Sequence, residues 1–127
     1  MEDEILKHLF DVREAVSAIR GFVAGKALED YRRDELLRSG VERKFEIIGE
    51  ALSRIRRDDP AVLDQIGEHR SILSFRNILT HGYDAIDDRI VWGIIEEDLD
   101  TLFEDVERVI GERDRQSGSN GPPNAGR

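Results

Sequence analysis

Apolar residues recur three or four positions apart along most of the chain, and this spacing constrains the fold more than any other feature. An α-helix repeats about every 3.6 residues, so such spacing places apolar side chains on one helix face. Alternating patterns typical of strands are absent from the sequence, and we therefore predict an all-α fold. The four apolar faces consist of Ile5, Leu9, Val12, Val16, Ile19 and Val23; Val41, Phe45, Ile48, Leu52 and Ile55; Ile72, Phe75, Ile78 and Leu79; and Val91, Ile95, Leu99, Leu102, Val106 and Val109.

The residues that separate these faces predict where each helix begins and ends. Glycine suits the position just after a helix, while proline and acidic residues suit a helix start. Four long amphipathic helices joined by short connections are typical of an up-and-down four-helix bundle, here with an extra short helix. In chain order, the first helix ends near residues 24–28, the second runs from 31–34 to about 57, the short helix covers 61–68, the third runs from 69–71 to Gly82, and Asp87 or Asp88 caps the last.

Length and composition predict one folded domain followed by a tail. A chain of 127 residues is typical of a single domain. We place the helical domain at residues 1–113. Residues 114–127 contain Gly, Ser, Asn and Pro and are predicted to form a disordered C-terminal tail. Within the domain, Gly49 lies in the middle of the second helix, where it costs about 1 kcal/mol relative to Ala. A close approach of another helix would explain its presence.

Composition and charge exclude several function classes. The chain has no Cys, so it has no disulfide framework and no thiol chemistry. No apolar run is long enough to span a membrane, and the acidic start is unlike a signal peptide, so we expect a soluble cytoplasmic protein. A net charge of −9 makes the chain a poor general binder of nucleic acid, so any RNA site must be local.

The middle of the chain is the one basic region in the sequence. Its arginines are interpreted first as a solvated helix face on which each cation pairs with a nearby Glu or Asp. They are Arg32, Arg33, Arg38, Arg43, Arg54, Arg56 and Arg57.

The sequence contains no motif typical of a metal or cofactor site. It has no HExxH pair, no Gly-rich loop that could cradle a phosphate and no GxSxG turn. We therefore expect neither a metal nor a cofactor. His8 lies four residues after Glu4 and is interpreted as part of an exposed surface contact. His69 lies in a polar turn and is interpreted as a solvated or capping residue.

The segment from Arg76 to Tyr83 combines residue types that suit phosphate chemistry. Arginine is a fixed cation whose planar fork suits phosphate, and histidine can move protons near neutral pH. Five residues on a straight helix separate two side chains by about 140°. Arg76 and His81 therefore share a site only if the backbone turns at Gly82. From spacing alone, basic residues at the negative end of a helix dipole remain the simpler interpretation.

Two stretches of the sequence resemble a known protein family. Arg76-x4-His81-x-Tyr83 looks like the R-x4–6-H motif of HEPN domains in its H-x-Y form. The surrounding sequence is similar to the HepT-like HEPN toxins over about residues 3–110. The stretches that carry this similarity are residues 41–52 (VERKFEIIGEAL) and residues 75–84 (FRNILTHGYD), followed by Asp88 and Ile90-Val91-Trp92.

The resemblance implies a fold, an activity and partners. HepT-like proteins are helical bundles that form homodimers, with the motif residues of both subunits lining a cleft at the interface. They are toxins of HEPN/MNT toxin–antitoxin pairs and are most often described as metal-independent endoribonucleases. The antitoxin is a minimal nucleotidyltransferase that can silence the toxin by adding AMP to the motif Tyr. Here the resemblance implies Arg76 and His81 as catalytic residues, Asn77 as a supporting residue and Tyr83 as the AMPylation site.

Two other function classes remain open. The acidic net charge favours a non-catalytic protein that binds a nucleotide or regulates a nucleotidyltransferase. A purely structural helical bundle is the third interpretation, and it would make the motif a coincidence. The intact set of Arg76, His81 and Tyr83 favours RNA cleavage, with attack by a 2′-hydroxyl on the adjacent phosphate.

Overall fold

The computed structural model of the chain describes residues 3–67, 69–80 and 87–119, with residues 77–80 and 117–119 described by their backbone alone. These ranges are helical almost throughout and contain no strand, which confirms the all-α prediction. The helices are α1 (Glu4–Val23), α2 (Leu28–Arg33), α3 (Glu35–Asp58), α4 (Pro60–Asp64), α5 (His69–Thr80), α6 (Asp88–Gly93) and α7 (Leu99–Ser119), with a π-helical turn at Ile94–Asp98 between the last two.

The long helices form a bundle around one apolar core. Helix α3 packs against both α1 and α5, and α1 also packs against α7. The rings of Phe45 and Phe75 meet edge to face with centroids 5.0 Å apart, which joins α3 to α5. Complete burial of a side chain of this kind stabilises the folded state by roughly 1.5–3 kcal/mol. Fully buried members of the predicted faces include Leu9, Val12, Val16, Ile19, Val41, Phe45, Ile48, Leu52, Ile55, Ile72, Leu99, Leu102 and Val106.

Aspartate side chains mark three of the helix starts. Asp3 accepts a hydrogen bond from the backbone N–H of Leu6 at 3.2 Å. Asp34 accepts one from Leu37 at 3.1 Å, and Asp87 accepts one from Arg89 at 2.9 Å. Such caps satisfy backbone donors that have no partner within the helix. The predicted cap before the last helix is therefore confirmed at Asp87.

The short helix α2 was not predicted from the sequence. The backbone of Asp34 is extended (φ −114°, ψ 98°), so it separates α2 from α3 where the sequence predicted only the start of one helix. Helix α2 places Tyr31 in the core, where its ring lies 5.6 Å from that of Trp92 between centroids. Among the described residues, the bundle thus has two separate short helices, α2 and α4, while the six residues of α6 continue through the π-helical turn into α7.

The π-helical turn keeps the last apolar face aligned. Two successive steps of four residues rotate a regular α-helix by about 80° away from its starting face. The N–H of Leu99 donates to the carbonyl of Ile94, five residues earlier, so this turn holds more residues than an α-helical turn. Val91, Ile95 and Leu99 are consequently all buried.

Helix α7 extends beyond the predicted end of the domain. The predicted tail began at residue 114, but the backbone is helical to Ser119. The Arg113 guanidinium donates two hydrogen bonds to the Asp3 carboxylate, at 2.9 and 3.0 Å, which fixes α7 against the start of α1 just before this extension. Residues 120–127 lie outside the described part of the chain. None of the described helices is both long enough and apolar enough to cross a membrane.

Candidate active site

Arg76 lies where α5 approaches α3 most closely. A Cβ atom placed on Gly49 would be 2.5 Å from Cβ of Arg76 and 2.6 Å from its Cγ and Cδ. Ordinary contacts between carbon atoms are about 3.5–4.0 Å, so no side chain fits at position 49 unless α5 moves away from α3. The missing side chain lets the stem of Arg76 lie directly on the α3 backbone. The close helix approach predicted from Gly49 is confirmed.

The charged end of Arg76 is held by Glu50, the residue next to Gly49. Nη2 of Arg76 donates to Oε1 of Glu50 at 2.7 Å, and this arginine side chain is 27% exposed. Oε2 of Glu50 forms an ion pair with Nε of Arg54 at 3.3 Å. Each carboxylate oxygen of Glu50 therefore pairs with one guanidinium, and both the aliphatic stem and the charged end of Arg76 are held in place.

These side chains line a cavity of about 470 Å³ between α1, α3 and α5. Three arginines face three carboxylates around it, and Arg43 forms its own ion pair with Glu46 at 3.3 Å. Positive and negative charges are therefore balanced locally. The lining consists of His8, Asp11, Arg43, Glu46, Ile47, Glu50, Ala51, Arg54 and Arg76.

His8 brings an imidazole to this cavity, which the sequence analysis did not predict. Its side chain is buried, with 6% of the residue exposed, so the interpretation as an exposed contact with Glu4 is wrong. His8 lies three residues after Ile5 and four before Val12, both of them core residues. That spacing on the apolar face of α1 was the signal that could have found it.

The other predicted site residues are only partly within the described chain. Asn77 follows Arg76 in α5 and is described by its backbone alone. His81 and Tyr83 lie outside the described residues, so their placement beside Arg76 remains a prediction. Within the described ranges, no group of three or more His, Asp and Glu side chains comes together as metal ligands would.

Most arginines of the basic middle form local ion pairs, as predicted for a solvated face. The exceptions are Arg38, which donates to backbone carbonyls, and Arg56, which has no partner among the described residues. Arg32 pairs with Glu29 at 3.1 Å, and Arg57 pairs with Asp58 at 2.8 Å. The hydrogen bond to Arg57 lowers the pKa of the Asp58 carboxyl. Glu50 was not singled out from the sequence. Its spacing of four residues from Arg54 indicated a pair, but nothing in the sequence indicated that it also reaches α5.

Comparisons with known proteins agree with the resemblance found in the sequence. The family model described as Ribonuclease HepT-like matches residues 12–109. A protein of Thermococcus cleftensis named "Probable ribonuclease HepT" is 33% identical over 95 residues, which cover 75% of this chain and 86% of that protein. A protein of Methanocaldococcus jannaschii named "Putative RNase MJ1380" is 28% identical over 106 residues, which cover 84% of this chain and 96% of the relative.

No solved structure matched the chain significantly. The family model nevertheless covers well over half of the chain, including α3, α5 and Arg76. The first of the two relatives covers most of the chain at more than 30% identity. The chain therefore belongs to the Ribonuclease HepT-like family.

Proposed function

We propose that this chain is an endoribonuclease, the toxin of a HEPN/MNT toxin–antitoxin pair. The observation that carries the proposal is that two contacts fix Arg76 in place, in a chain that belongs to this family. Its stem lies against Gly49 and its guanidinium against Glu50, at the edge of a cavity of about 470 Å³. A preorganised cation of this kind stabilises charge that develops on a phosphate without first having to reorganise.

In the proposed reaction, a 2′-hydroxyl of single-stranded RNA attacks the adjacent phosphorus. The new bond joins this oxygen to phosphorus, and the bond to the 5′-oxygen of the next nucleotide breaks. His81 acts as the general base that takes the 2′-hydroxyl proton or as the general acid that protonates the leaving 5′-oxygen. Arg76 stabilises the charge on the phosphoryl oxygens. The products are a 2′,3′-cyclic phosphate and a 5′-hydroxyl, and no metal takes part.

The proposed enzyme is a homodimer whose two motifs line one cleft. Within one protomer the arginines of the Arg76 cavity are balanced by Asp11, Glu46 and Glu50. A second copy of the motif would add another Arg and His to the cleft and make it locally positive. This is a physical reason for an acidic protein to bind RNA only as a dimer.

The proposed antitoxin is a minimal nucleotidyltransferase that transfers AMP to the hydroxyl of Tyr83. An AMP group adds bulk and negative charge beside the motif. It would hinder the binding of RNA through both its size and the repulsion of like charges.

A second candidate is a non-catalytic protein that binds a nucleotide or regulates a nucleotidyltransferase. The balance of cations and carboxylates around the Arg76 cavity favours this candidate, as does the net charge of −9. In that case the cavity would accept a ligand but would not stabilise a transition state.

RNA cleavage by the purified protein in EDTA separates the two candidates. Arg76→Ala and His81→Ala should each abolish cleavage while leaving the helical circular dichroism spectrum and the Tm close to those of the unmodified protein. The intact mass must be measured on the same samples, because AMP on Tyr83 would otherwise be mistaken for inactivity. If an unmodified dimer cuts none of several RNA pools, the nuclease proposal fails and the binding protein is favoured.

A further inference from the structure

A second cavity, of about 460 Å³, lies at the corner formed by α3, α4 and α5. Pockets that take small ligands in proteins typically have volumes of roughly 300–1,000 Å³. Its polar side chains come from three helices: Arg56 from the last turn of α3, Asp64 from α4, and His69, Arg70 and Ser74 from α5. The cavity shares no lining residue with the one around Arg76.

Unlike the arginines around Arg76, those of this second cavity have no partner in the described part of the chain. Among the described residues, Arg56 and Arg70 form neither an ion pair nor a hydrogen bond, and both are exposed. In the first cavity each arginine is paired with a glutamate. The lining holds two arginines and one carboxylate, that of Asp64, which pairs with neither arginine. The two cations repel each other, and a bound anion would relieve that repulsion.

His69 adds a hydrogen-bond donor to the same lining. Its Nδ1 is buried and has no hydrogen-bond partner among the described residues. A buried N–H without an acceptor costs about 1–3 kcal/mol, so a single ring proton is best placed on Nε2. Nε2 is then the ring nitrogen available to donate to a ligand in the cavity that His69 lines. Of the two interpretations from the sequence, a solvated His69 does not account for the buried nitrogen, and a capping His69 stays a prediction.

The start of α5 increases the positive potential of this cavity. The first turn of α5 contains His69 and Arg70 and no acidic residue. The N-terminus of a helix carries a partial positive charge, so cations there are unfavourable without an anion. Glu68, which precedes the helix, lies outside the described residues.

Helix α5 also connects this cavity with the proposed catalytic arginine. Arg70 and Arg76 are six residues apart on one helix, which is about 9 Å along its axis. Six residues also rotate an α-helix by about 240°, so Arg70 and Arg76 lie on different faces of α5. An RNA strand that contacts both cavities therefore has to cross α5 while it follows the helix axis.

We propose that Arg56, Arg70 and His69 form a binding site for backbone phosphates of the RNA strand, outside the catalytic motif. This inference rests on the proposed function, because it assigns a second contact to the same substrate. The arginines supply charge and bidentate hydrogen bonds to phosphate oxygens, and Nε2 of His69 supplies a third donor. The site binds RNA without regard to sequence, since phosphates carry no base information.

The test is the binding of a fluorescein-labelled 2′-O-methyl oligouridylate, followed by anisotropy in EDTA at several salt concentrations. This RNA has no free 2′-hydroxyl, so binding is measured apart from cleavage. The proteins compared are the unmodified chain, the double variant Arg56→Gln/Arg70→Gln and a control, Arg57→Gln/Arg115→Gln, that removes the same charge from exposed positions of α3 and α7.

We expect the Arg56/Arg70 variant to bind at least about tenfold more weakly, since a hydrogen bond to a charged group contributes about 1.5–3 kcal/mol. The slope of log K against log salt should decrease in magnitude by about 1.4, or 0.7 for each lost phosphate contact. With cleavable RNA, KM should rise and kcat at saturation should stay unchanged. The control should bind and cleave as the unmodified chain does.

Equal weakening in both double variants, or no weakening in either, would overturn the phosphate site. If the Arg56→Gln/Arg70→Gln variant binds and cleaves RNA as the unmodified chain does, the phosphate-binding site is refuted and the nuclease proposal still stands. If RNA binding depends on these arginines but ordinary RNA is not cleaved, the phosphate-binding site is supported and the nuclease proposal fails. If poly-glutamate binds as tightly and depends on the same arginines, the site serves an acidic protein and the RNA assignment is overturned.

Discussion

Replacing Gly49 by Ala tests whether the contact between α3 and α5 positions Arg76. The new methyl carbon would be 2.5 Å from Cβ of Arg76, against an ordinary contact of about 3.5–4.0 Å. Because Cβ is attached to the α5 backbone, rotation of the arginine side chain cannot relieve the contact. Helix α5 must therefore move away from α3 by about 1 Å.

The expected cost in stability is small, while the expected cost in activity is large. Overpacking costs about 1–3 kcal/mol, and the better helix propensity of Ala returns about 1 kcal/mol. The free energy of unfolding should therefore fall by about 0–2 kcal/mol, and the protein should stay folded. A displacement of about 1 Å at a catalytic group can lower the rate about a hundredfold. We expect Gly49→Ala to lower kcat of RNA cleavage by this order.

Gly21→Ala is the matched control. Gly21 is also helical, but no described atom outside the adjacent backbone of its own helix lies within 4 Å of the position its Cβ would take. This substitution should raise the free energy of unfolding by about 0.4–1 kcal/mol and leave cleavage unchanged. Thermal unfolding followed by circular dichroism, with RNA cleavage on the same samples, measures both quantities. A folded Gly49→Ala protein that cleaves RNA at the original rate would refute the positioning role of this contact.

Three further substitutions test other parts of the structure. Glu50→Gln keeps an oxygen for Arg76 but removes a charge that competes with phosphate, so KM for RNA should fall. Because a neutral amide holds the guanidinium less firmly than a carboxylate does, kcat should fall as well. Tyr31→Phe removes a buried hydroxyl that has no partner among the described residues, and it should raise the free energy of unfolding by about 1 kcal/mol, measured by urea denaturation. Arg113→Ala should destabilise the protein slightly at neutral pH, because its hydrogen bonds lower the pKa of the Asp3 carboxyl. Both side chains are partly exposed, so this effect is under about 1 kcal/mol.

The sign of the pH dependence at Asp3 follows from that lowered pKa. A carboxyl whose pKa is lower in the folded state contributes stability above its unfolded pKa and loses it as the pH falls through the folded value. The stability difference between the unmodified protein and Arg113→Ala should therefore disappear in acid. A difference that persists below the pKa of Asp3 would contradict this account. For the other two variants, the predictions would be contradicted by a rise in KM with Glu50→Gln or by a fall in the free energy of unfolding with Tyr31→Phe.

Much of the fold could be predicted because burial follows helical periodicity. Of the residues spaced three and four apart whose side chains are described, all but the partly buried Val23 became the core, and Gly49 indicated where two helices touch. Even the π-helical turn left a signal, since Val91, Ile95 and Leu99 follow one another by two steps of four. Helix α2 left a weaker one, because six residues are too few to show a period.

The candidate site was only partly predictable, because it depends on contacts between distant segments. Arg76 was selected by its residue type and by the family motif. Its partner Glu50 is 26 residues away, and the distance in sequence gives no indication that their side chains meet. His8 was misassigned because a polar residue on an apolar helix face was interpreted from its charged neighbour and not from its position. Arg56 and Arg70 likewise come together only through the turn that α4 makes between α3 and α5.

The most direct test of the central claim is whether cleavage requires the 2′-hydroxyl of the substrate and no metal. An oligoribonucleotide and a 2′-O-methyl copy of the same sequence are incubated with the purified protein in EDTA, and the product ends are identified by mass spectrometry. We predict cleavage of the ribonucleotide alone, with 2′,3′-cyclic phosphate and 5′-hydroxyl ends that are lost in Arg76→Ala. Cleavage of the methylated copy, or products with 5′-phosphate ends, would contradict the proposed chemistry.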